Sequence, residues 1–325
     1  MTLLILSGSD VRELLSYAEC AEVMRSALAG LARGEIEQPL RSVVRPAGAA
    51  GFQVLMPSYN RGAGYGLKAL CITPANPSRG LDAHQGGVML YTADTGEPAA
   101  LINASALTEI RTAAVSAVAT GLLARPDATV AAIIGTGVQA AAHARALAAT
   151  TVLSEVRLGG RSAARASSVA AGLAGELGVP VTAAASVEEA LDGAGIVVTA
   201  TASATPVIAR EWLAPGAHVN AVGACVPSDR EIDTATMAAA ALFADSRESL
   251  QNEAGDYLLA VKDGAVVGPA RATLGELLTG TGEGRRDEQE ITLFESLGLA
   301  AEDLMAASFV YQKAVRLGAG TAADF

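Results

Sequence analysis

The stretch TVAAIIGTGVQAAAHARAL, residues 129–147, narrows the choice of folds more than any other. An apolar, partly β-branched run leads into Gly135-Thr136-Gly137-Val138-Gln139-Ala140, and a helix-forming run follows. The first glycine allows a tight strand-to-helix turn. The second lets backbone approach a pyrophosphate, and Ala140 stands where a third glycine is usual and helix meets strand. The N–H groups and positive dipole end of the following helix suit a phosphate. A bare G-x-G also occurs in ordinary turns, so the strand before and the helix after carry the reading.

The alternation continues downstream. EVRLGG (155–160), PVTAA (180–184), GIVVTAT (195–201), AHVNAVG (217–223) and ALFAD (241–245) read as strands, with helices reaching about Ala149, Leu177 and Asp192. Parallel strands buried on both faces and joined by crossover helices give this rhythm. It predicts a Rossmann-type, doubly wound parallel sheet in an α/β protein. EVRLGG ends without the acidic residue that bonds an NAD ribose about 20 residues past such a loop. Arg161 and Ser162 stand there instead, and they suit a 2′-phosphate. The cofactor expected is NADP(H) in preference to NAD(H).

The region before residue 128 has another character. Residues 8–33 read as one helix capped by Ser9 or Asp10, and 41–46, 52–57 and 64–72 as strands. A hairpin joins VMLYTA to AALIN. Ser105–Ala124 is helical and stopped by Arg125-Pro126. Residues 270–325 return to helices, with 280–290 the most loop-like stretch.

Three cations of this first lobe stand out by their strand or helix context: Arg41 at a strand start, Lys68 in GYGLKALCI, and Arg111 in LTEIRTAAVSAVAT. The chain has only two other lysines, Lys262 and Lys313. A cation buried without an anion costs several kcal/mol, so each needs a partner. That partner is either a nearby carboxylate such as Glu109 or the carboxylate of a ligand. Three cations in one apolar lobe favour the ligand.

The formal charge is −11, from 34 acidic and 23 basic residues, and no basic stripe is present. That argues against nucleic acid or an anionic membrane as partner. Cys20, Cys71 and Cys225 form no CxxC pair, and His84, His143 and His218 lack metal-ligand spacing. No metal is expected. The start MTLLILSGSDVRELL has no signal-peptide pattern, and no uninterrupted apolar stretch nears the about 20 residues that span a bilayer. The expectation is a soluble cytoplasmic protein.

VLMPSY (54–59), YGLKAL (65–70), HQGGVMLYTADTGEP (84–98), LTEIRTAAVSAVAT (107–120), IIGTGVQA (133–140), HVNAVGA (218–224), ADSRES (244–249) and EITLFESLGLAAEDL (290–304) together resemble the ornithine cyclodeaminase/μ-crystallin family over nearly the whole chain. The resemblance implies a substrate-binding and dimerisation domain, 1–112 plus 305–325, around a dinucleotide-binding domain, 113–304. It implies a homodimer. It implies substrate-carboxylate binding by Arg41, Lys68 and Arg111, and a pocket residue at Met56. Cofactor contacts are implied at Gln85, Gly135, Thr136, Gly137, Val138 and Gln139, at Thr201, and at Asn220, Ala221, Val222 and Gly223. Ser296 and Leu297 are implied to reach the nicotinamide and the substrate.

Two departures refine the expectation. Cyclodeaminases of this family keep an acid just after the NAVG segment, where this chain has Cys225, and a Glu two residues before the Met of LMP, where it has Val54. Amine oxidation, ring closure and ammonia loss need a placed acid/base, and a thiol is a poor one. Reduction of a cyclic ketimine needs mainly positioning. The expected activity is therefore NADPH-dependent reduction of an imino acid such as pyrroline-2-carboxylate or piperideine-2-carboxylate. Lys68, Arg111, His84 and Cys225 are the catalytic candidates. His84 could equally be a structural hydrogen bonder, and Cys225 a small buried hydrophobe. The alternatives are an alanine-dehydrogenase-like enzyme, an ammonia-eliminating cyclodeaminase, and a non-catalytic NADPH-dependent binding protein.

Overall fold

The computed structural model describes residues 2–265 and 267–325. The chain begins β1 (Thr2–Leu6), α1 (Gly8–Leu14), α2 (Tyr17–Ala32), β2 (Ile36–Glu37), β3 (Ser42–Val44) and β4 (Phe52–Asn60). Next come β5 (Gly64–Ile72), β6 (His84–Tyr91), β7 (Pro98–Asn103) and α3 (Ala104–Leu123). β8 (Val130–Ile134), α4 (Val138–Thr150), β9 (Glu155–Gly159), α5 (Ala163–Ala174), β10 (Val181–Ala183), α6 (Val187–Leu191) and β11 (Ile196–Thr199) then alternate. β12 (His218–Ala221), α7 (Thr234–Ala239), β13 (Ala241–Ala244), α8 (Arg247–Glu253) and α9 (Gly255–Lys262) follow. The last elements are β14 (Ala272–Thr273), α10 (Leu274–Leu278), β15 (Thr292–Glu295), α11 (Ala300–Leu317) and β16 (Thr321–Asp324).

Two compact units result. The first comprises Met1–Arg111 and Leu299–Phe325, the second Thr112–Gly298. The second border falls at 299 rather than 305, because α11 is one uninterrupted helix. Its first turn is tied down within the first unit, where Ala301 N donates to Gln38 Oε1 at 2.7 Å and Leu299 N to Glu302 Oε2 at 3.1 Å.

The first unit carries a mixed sheet in the order β16-β1-β7-β6-β5-β4-β2, with β3 also on β4. β4, β5, β6 and β7 form an antiparallel meander, and β1 joins β7 in parallel. The helical expectation for 8–33 needs correction. Ser7, not Ser9 or Asp10, caps the first helix in a capping box with Asp10, and a second box at Ser16 with Glu19 divides the range. Each serine satisfies the backbone N–H three residues on while the acid returns to the serine N–H, so a second helix starts where one was expected to continue.

The second unit is a wholly parallel sheet, β10-β9-β8-β11-β12-β15-β13-β14. Alternate residues of β8 enter different cores: Ala132 and Ile134 pack with Val197, Val219 and Leu293, while Ala131 and Ile133 pack with Val156, Leu158 and Val198. Burial on both faces explains the unbroken apolar runs. The all-helical expectation for 270–325 also needs correction. β15 lies inside the sheet between β12 and β13, and β16 pairs with β1. A four-residue strand buried on both faces shows no alternation to read. α3 is long and apolar enough to cross a bilayer by length and composition, but 78% of that window is buried in the protein, as in a core helix.

Candidate active site

In the second unit, Gly135 has φ +143°, and a Cβ there would lie 2.4 Å from the Ala200 carbonyl oxygen. The turn therefore requires glycine for its own geometry. Gly137 differs. It precedes α4 with φ −92°, its position has no side-chain cap, and a Cβ there would meet nothing within 4 Å. Nothing in the protein demands its small size, whereas a ligand brought against the helix N-terminus would. Orphan N–H groups on a thirteen-residue helix fit a pyrophosphate. The strand order reverses between β8 and β11, which opens a crevice at their carboxyl ends.

Past β9, Arg161 is exposed and Ser162 caps α5, accepting from Arg165 N at 3.3 Å. A hydroxyl that accepts there can still donate to a phosphate. Val138 is exposed and Ala140 fully buried.

The segments after β11 and β12 are less open than expected. Asn220 is wholly buried; its Nδ2 donates to Thr120 Oγ1 at 3.0 Å and its Oδ1 faces His218 Nε2 at 3.3 Å. Its side chain is engaged inside the sheet, which leaves backbone as the means of any cofactor contact there. Ala221 and Val222 are buried too. The N–H groups of Thr201 and Gly223 donate to Glu231 Oε1 and Oε2, each at 2.6 Å. Cys225 is half-buried against the core of this unit. Ser296 N donates to Ala221 O at 2.9 Å, and Leu297 N to Asp245 Oδ2 at 2.7 Å.

His143 and His218 are fully buried. His143 bridges Gln139 O at 2.7 Å and Ser116 Oγ at 2.9 Å, and His218 Nδ1 meets Thr292 Oγ1 at 2.9 Å. Burial pushes them down to about 4 and about 3, so both are neutral.

In the first unit, Lys68 and Arg111 converge on α11. Lys68 Nζ lies 3.1 and 3.0 Å from the two Asp303 oxygens. Arg111 Nε donates to Asp303 Oδ1 at 3.0 Å and Arg111 Nη1 to Glu302 Oε2 at 2.8 Å. All four groups are buried. The expectation that a ligand carboxylate alone partners these cations is corrected: Asp303 and Glu302 already pair with Lys68 and Arg111, and Glu109, the nearby alternative, meets Arg12 at 2.8 Å instead. Glu109 lies two positions from Arg111 on a helix, and such residues do not face one another. Glu302 and Asp303 escaped notice because nothing local links them to residues about 190 or 235 positions away.

Burial, opposed by Asp303, brings Lys68 down to about 8. Burial would raise Asp303, but the Arg111 and Lys68 charges outweigh it and hold the carboxyl below its usual range. Met56 is buried beside Lys68 in register on β4, and Val88 flanks Lys68 on β6. Val54 is buried one step along the same face. Arg41 precedes β3 and its charge reaches Lys68. Partial desolvation, then the Lys68 and Arg111 charges, hold His84 below the ordinary histidine value, which favours its neutral ring. Gln85 is exposed, with Nε2 on Asp82 O at 3.1 Å.

A sequence profile of the ornithine cyclodeaminase/mu-crystallin family matches residues 1–317. The chain is 36% identical to a Delta(1)-pyrroline-2-carboxylate reductase of Bacillus thuringiensis subsp. konkukian, covering 99% of this chain and 100% of the relative. It is 36% identical to the ketimine reductase mu-crystallin of Mus musculus, covering 94% and 96%. It is similar to the structure of Thermococcus litoralis Delta(1)-pyrroline-2-carboxylate reductase in complex with NADH and L-proline, with TM-score 0.95, 34% identity and coverage of 98% and 99%.

Proposed function

The chain belongs to the ornithine cyclodeaminase/mu-crystallin family, and on that premise we propose that it is an NAD(P)H-dependent oxidoreductase that reduces a cyclic imino acid at its C=N bond. The observation that carries this reading is the buried Lys68–Asp303–Arg111–Glu302 cluster, in a chain with Val54 and Cys225 where a diamine would need anions. The first unit binds substrate and the second binds the dinucleotide.

Arg41, Lys68 and Arg111 hold the substrate carboxylate. Asp303 and Glu302 fix the directions of the Lys68 and Arg111 donors before substrate arrives, so little reorganisation remains. The ammonium has three donors, and both of its contacts go to one carboxylate, which leaves capacity for a second. Met56 and Val54 supply an apolar wall with no handle for a distal amine. Bound reduced nicotinamide supplies the hydride. The ketimine nitrogen arrives already protonated, so neutral His84 and half-buried Cys225 need not act as strong acids. Pyrroline-2-carboxylate is the first substrate to test, given the names of the relatives.

Arg161 and Ser162 favour NADP(H) over NAD(H). Arg161→Ala should weaken NADPH by about 1–3 kcal/mol and leave NADH nearly unchanged, as measured by cofactor fluorescence. Exposed Val43 and Val44 on β3 suit pairing with a second copy, so sedimentation should give near twice the 32.7 kDa of one chain.

The deciding experiment follows cofactor oxidation with pyrroline-2-carboxylate, piperideine-2-carboxylate, pyruvate plus ammonia, and cofactor reduction with ornithine. Turnover confined to the cyclic imines is expected. Faster turnover of ornithine or of pyruvate plus ammonia would overturn the reading.

A further inference from the structure

We infer that Glu231 is a positioning residue for the nicotinamide half of the cofactor, clasping the chain segments that leave β11 and β12. The inference rests on the reading of the second unit as a dinucleotide site. Glu231 is wholly buried, and its two oxygens accept from Thr201 N and Gly223 N, both at 2.6 Å. These donors lie just beyond the last paired residues of the two strands, Thr199 and Ala221. They fall outside the sheet ladder, so the sheet itself does not satisfy them.

The clasp is tight. A Cβ on Gly223 would lie 2.1 Å from the Thr201 carbonyl oxygen and 2.6 Å from the Glu231 carboxyl carbon, so position 223 excludes every side chain. The segment that carries Glu231 is itself held. Asp256 Oδ1 accepts from Glu231 N at 2.7 Å and Ile232 N at 2.8 Å, and Val207 N donates to Glu231 O at 2.7 Å. An acceptor-only group matches two converging donors. Glutamine would turn an NH₂ toward one of them.

Location separates this role from a general brace. The strand order reverses between β8 and β11, and β9 lies on the far side of β8 from β11 and β12. In a doubly wound sheet the first half takes the adenosine side of the dinucleotide, and the half past the reversal takes the other nucleotide. Glu231 acts only on the second half.

Full-length wild type and Glu231→Gln are compared by calorimetric binding of NADH, NADPH and ADP, with urea unfolding of each. Glu231→Gln should bind both dinucleotides at least tenfold more weakly, with ADP affinity changed less than twofold. Equal losses for ADP and the dinucleotides, or no loss for either, would overturn the inference. If Glu231→Gln does not fold, Glu231→Asp, which reaches only one of the two N–H groups, takes its place with the same selective loss expected. Wild type that binds neither NADH nor NADPH would instead sink the dinucleotide reading on which the inference stands.

Discussion

The first unit buries its charges as cross-linked ion pairs, and the second buries several carboxyls without them. Lys68, Arg111, Glu302 and Asp303 each face an opposite charge. In the second unit, Glu231 and Asp256 are met by backbone N–H groups. Among the described residues, Glu295 Oε1 has no hydrogen-bond partner. Burial, then the neighbouring Asp256, Glu231 and Asp245 carboxyls, push Glu295 well above the usual carboxylate range. Burial likewise brings Asp256 up to about 7. The difference follows from the task. A group that must meet an external anion has to stay charged in a dry interior, which requires a counter-charge. A group that only orders backbone can draw on N–H dipoles in place of a counter-charge, as Glu231 does, and one whose oxygen lacks such a donor, as at Glu295, is driven toward its neutral form.

The largest expected effect removes one ion-pair partner. Arg111→Ala takes the guanidinium from Glu302 and one contact from Asp303, and should cost about 3–5 kcal/mol in urea unfolding, with turnover lost. Arg111→Lys keeps the charge and should recover much of the stability but little of the turnover, since the fork geometry is gone. A stability loss under about 1 kcal/mol in Arg111→Ala would erase the contrast between the units.

Next comes the phosphate loop, where two glycines should part company. Gly135→Ala meets a positive φ and the Ala200 carbonyl, and should cost about 1–3 kcal/mol or more. Gly137→Ala should stay within about 1 kcal/mol of wild type, because its φ suits alanine and the space is open, yet it should bind cofactor poorly. Equal stabilities for the two variants would mean that the turn at 135 is not as constrained as its geometry states.

A pH series sharpens the comparison further. The folded pKa of Glu295 is raised, so its protonated form contributes stability fully below about 4.5, and that contribution is lost as pH rises through the folded value. His143 and His218 act oppositely: their folded values are depressed, so their contribution is present above 6.5 and lost as pH falls toward 4 and 3. Glu295→Gln removes only the first contribution. Its stability relative to wild type should therefore grow by about 1 kcal/mol or more between pH 5 and 9. A flat difference would show that Glu295 is ionised throughout.

The smallest effect lies on the surface of the first unit. Arg12→Ala breaks the Arg12–Glu109 pair, but Arg12 is 53% exposed. The cost should be under about 1 kcal/mol, read from the same unfolding curves. A larger loss would move part of the charge cluster's role to Glu109.

Much of the second unit is legible along the chain. Gly135 and Gly137 mark the loop because backbone sterics act between adjacent residues. The apolar runs at 130–134, 196–199 and 241–244 mark parallel strands because both faces are buried. Arg41, Lys68 and Arg111 stand out because cations are rare in apolar context. β15 and the break at Ser16 do not stand out: the first is too short for a period, and the second depends on a capping box inside a pattern that still reads as helical.

By itself, then, the sequence determines the strand–helix rhythm, the phosphate turn and the identity of the cations, because each is settled by neighbours within a few residues. Only the tertiary structure decides what those cations face and what holds the strand ends. Asp303 reaches Lys68 across 235 positions, and Glu231 reaches Thr201 across 30. Any of the chain's 34 acidic residues satisfies the need for a negative partner equally well on paper. Which one does so is chosen by which helix shares the same dry interior, where a charge without its partner costs too much to persist.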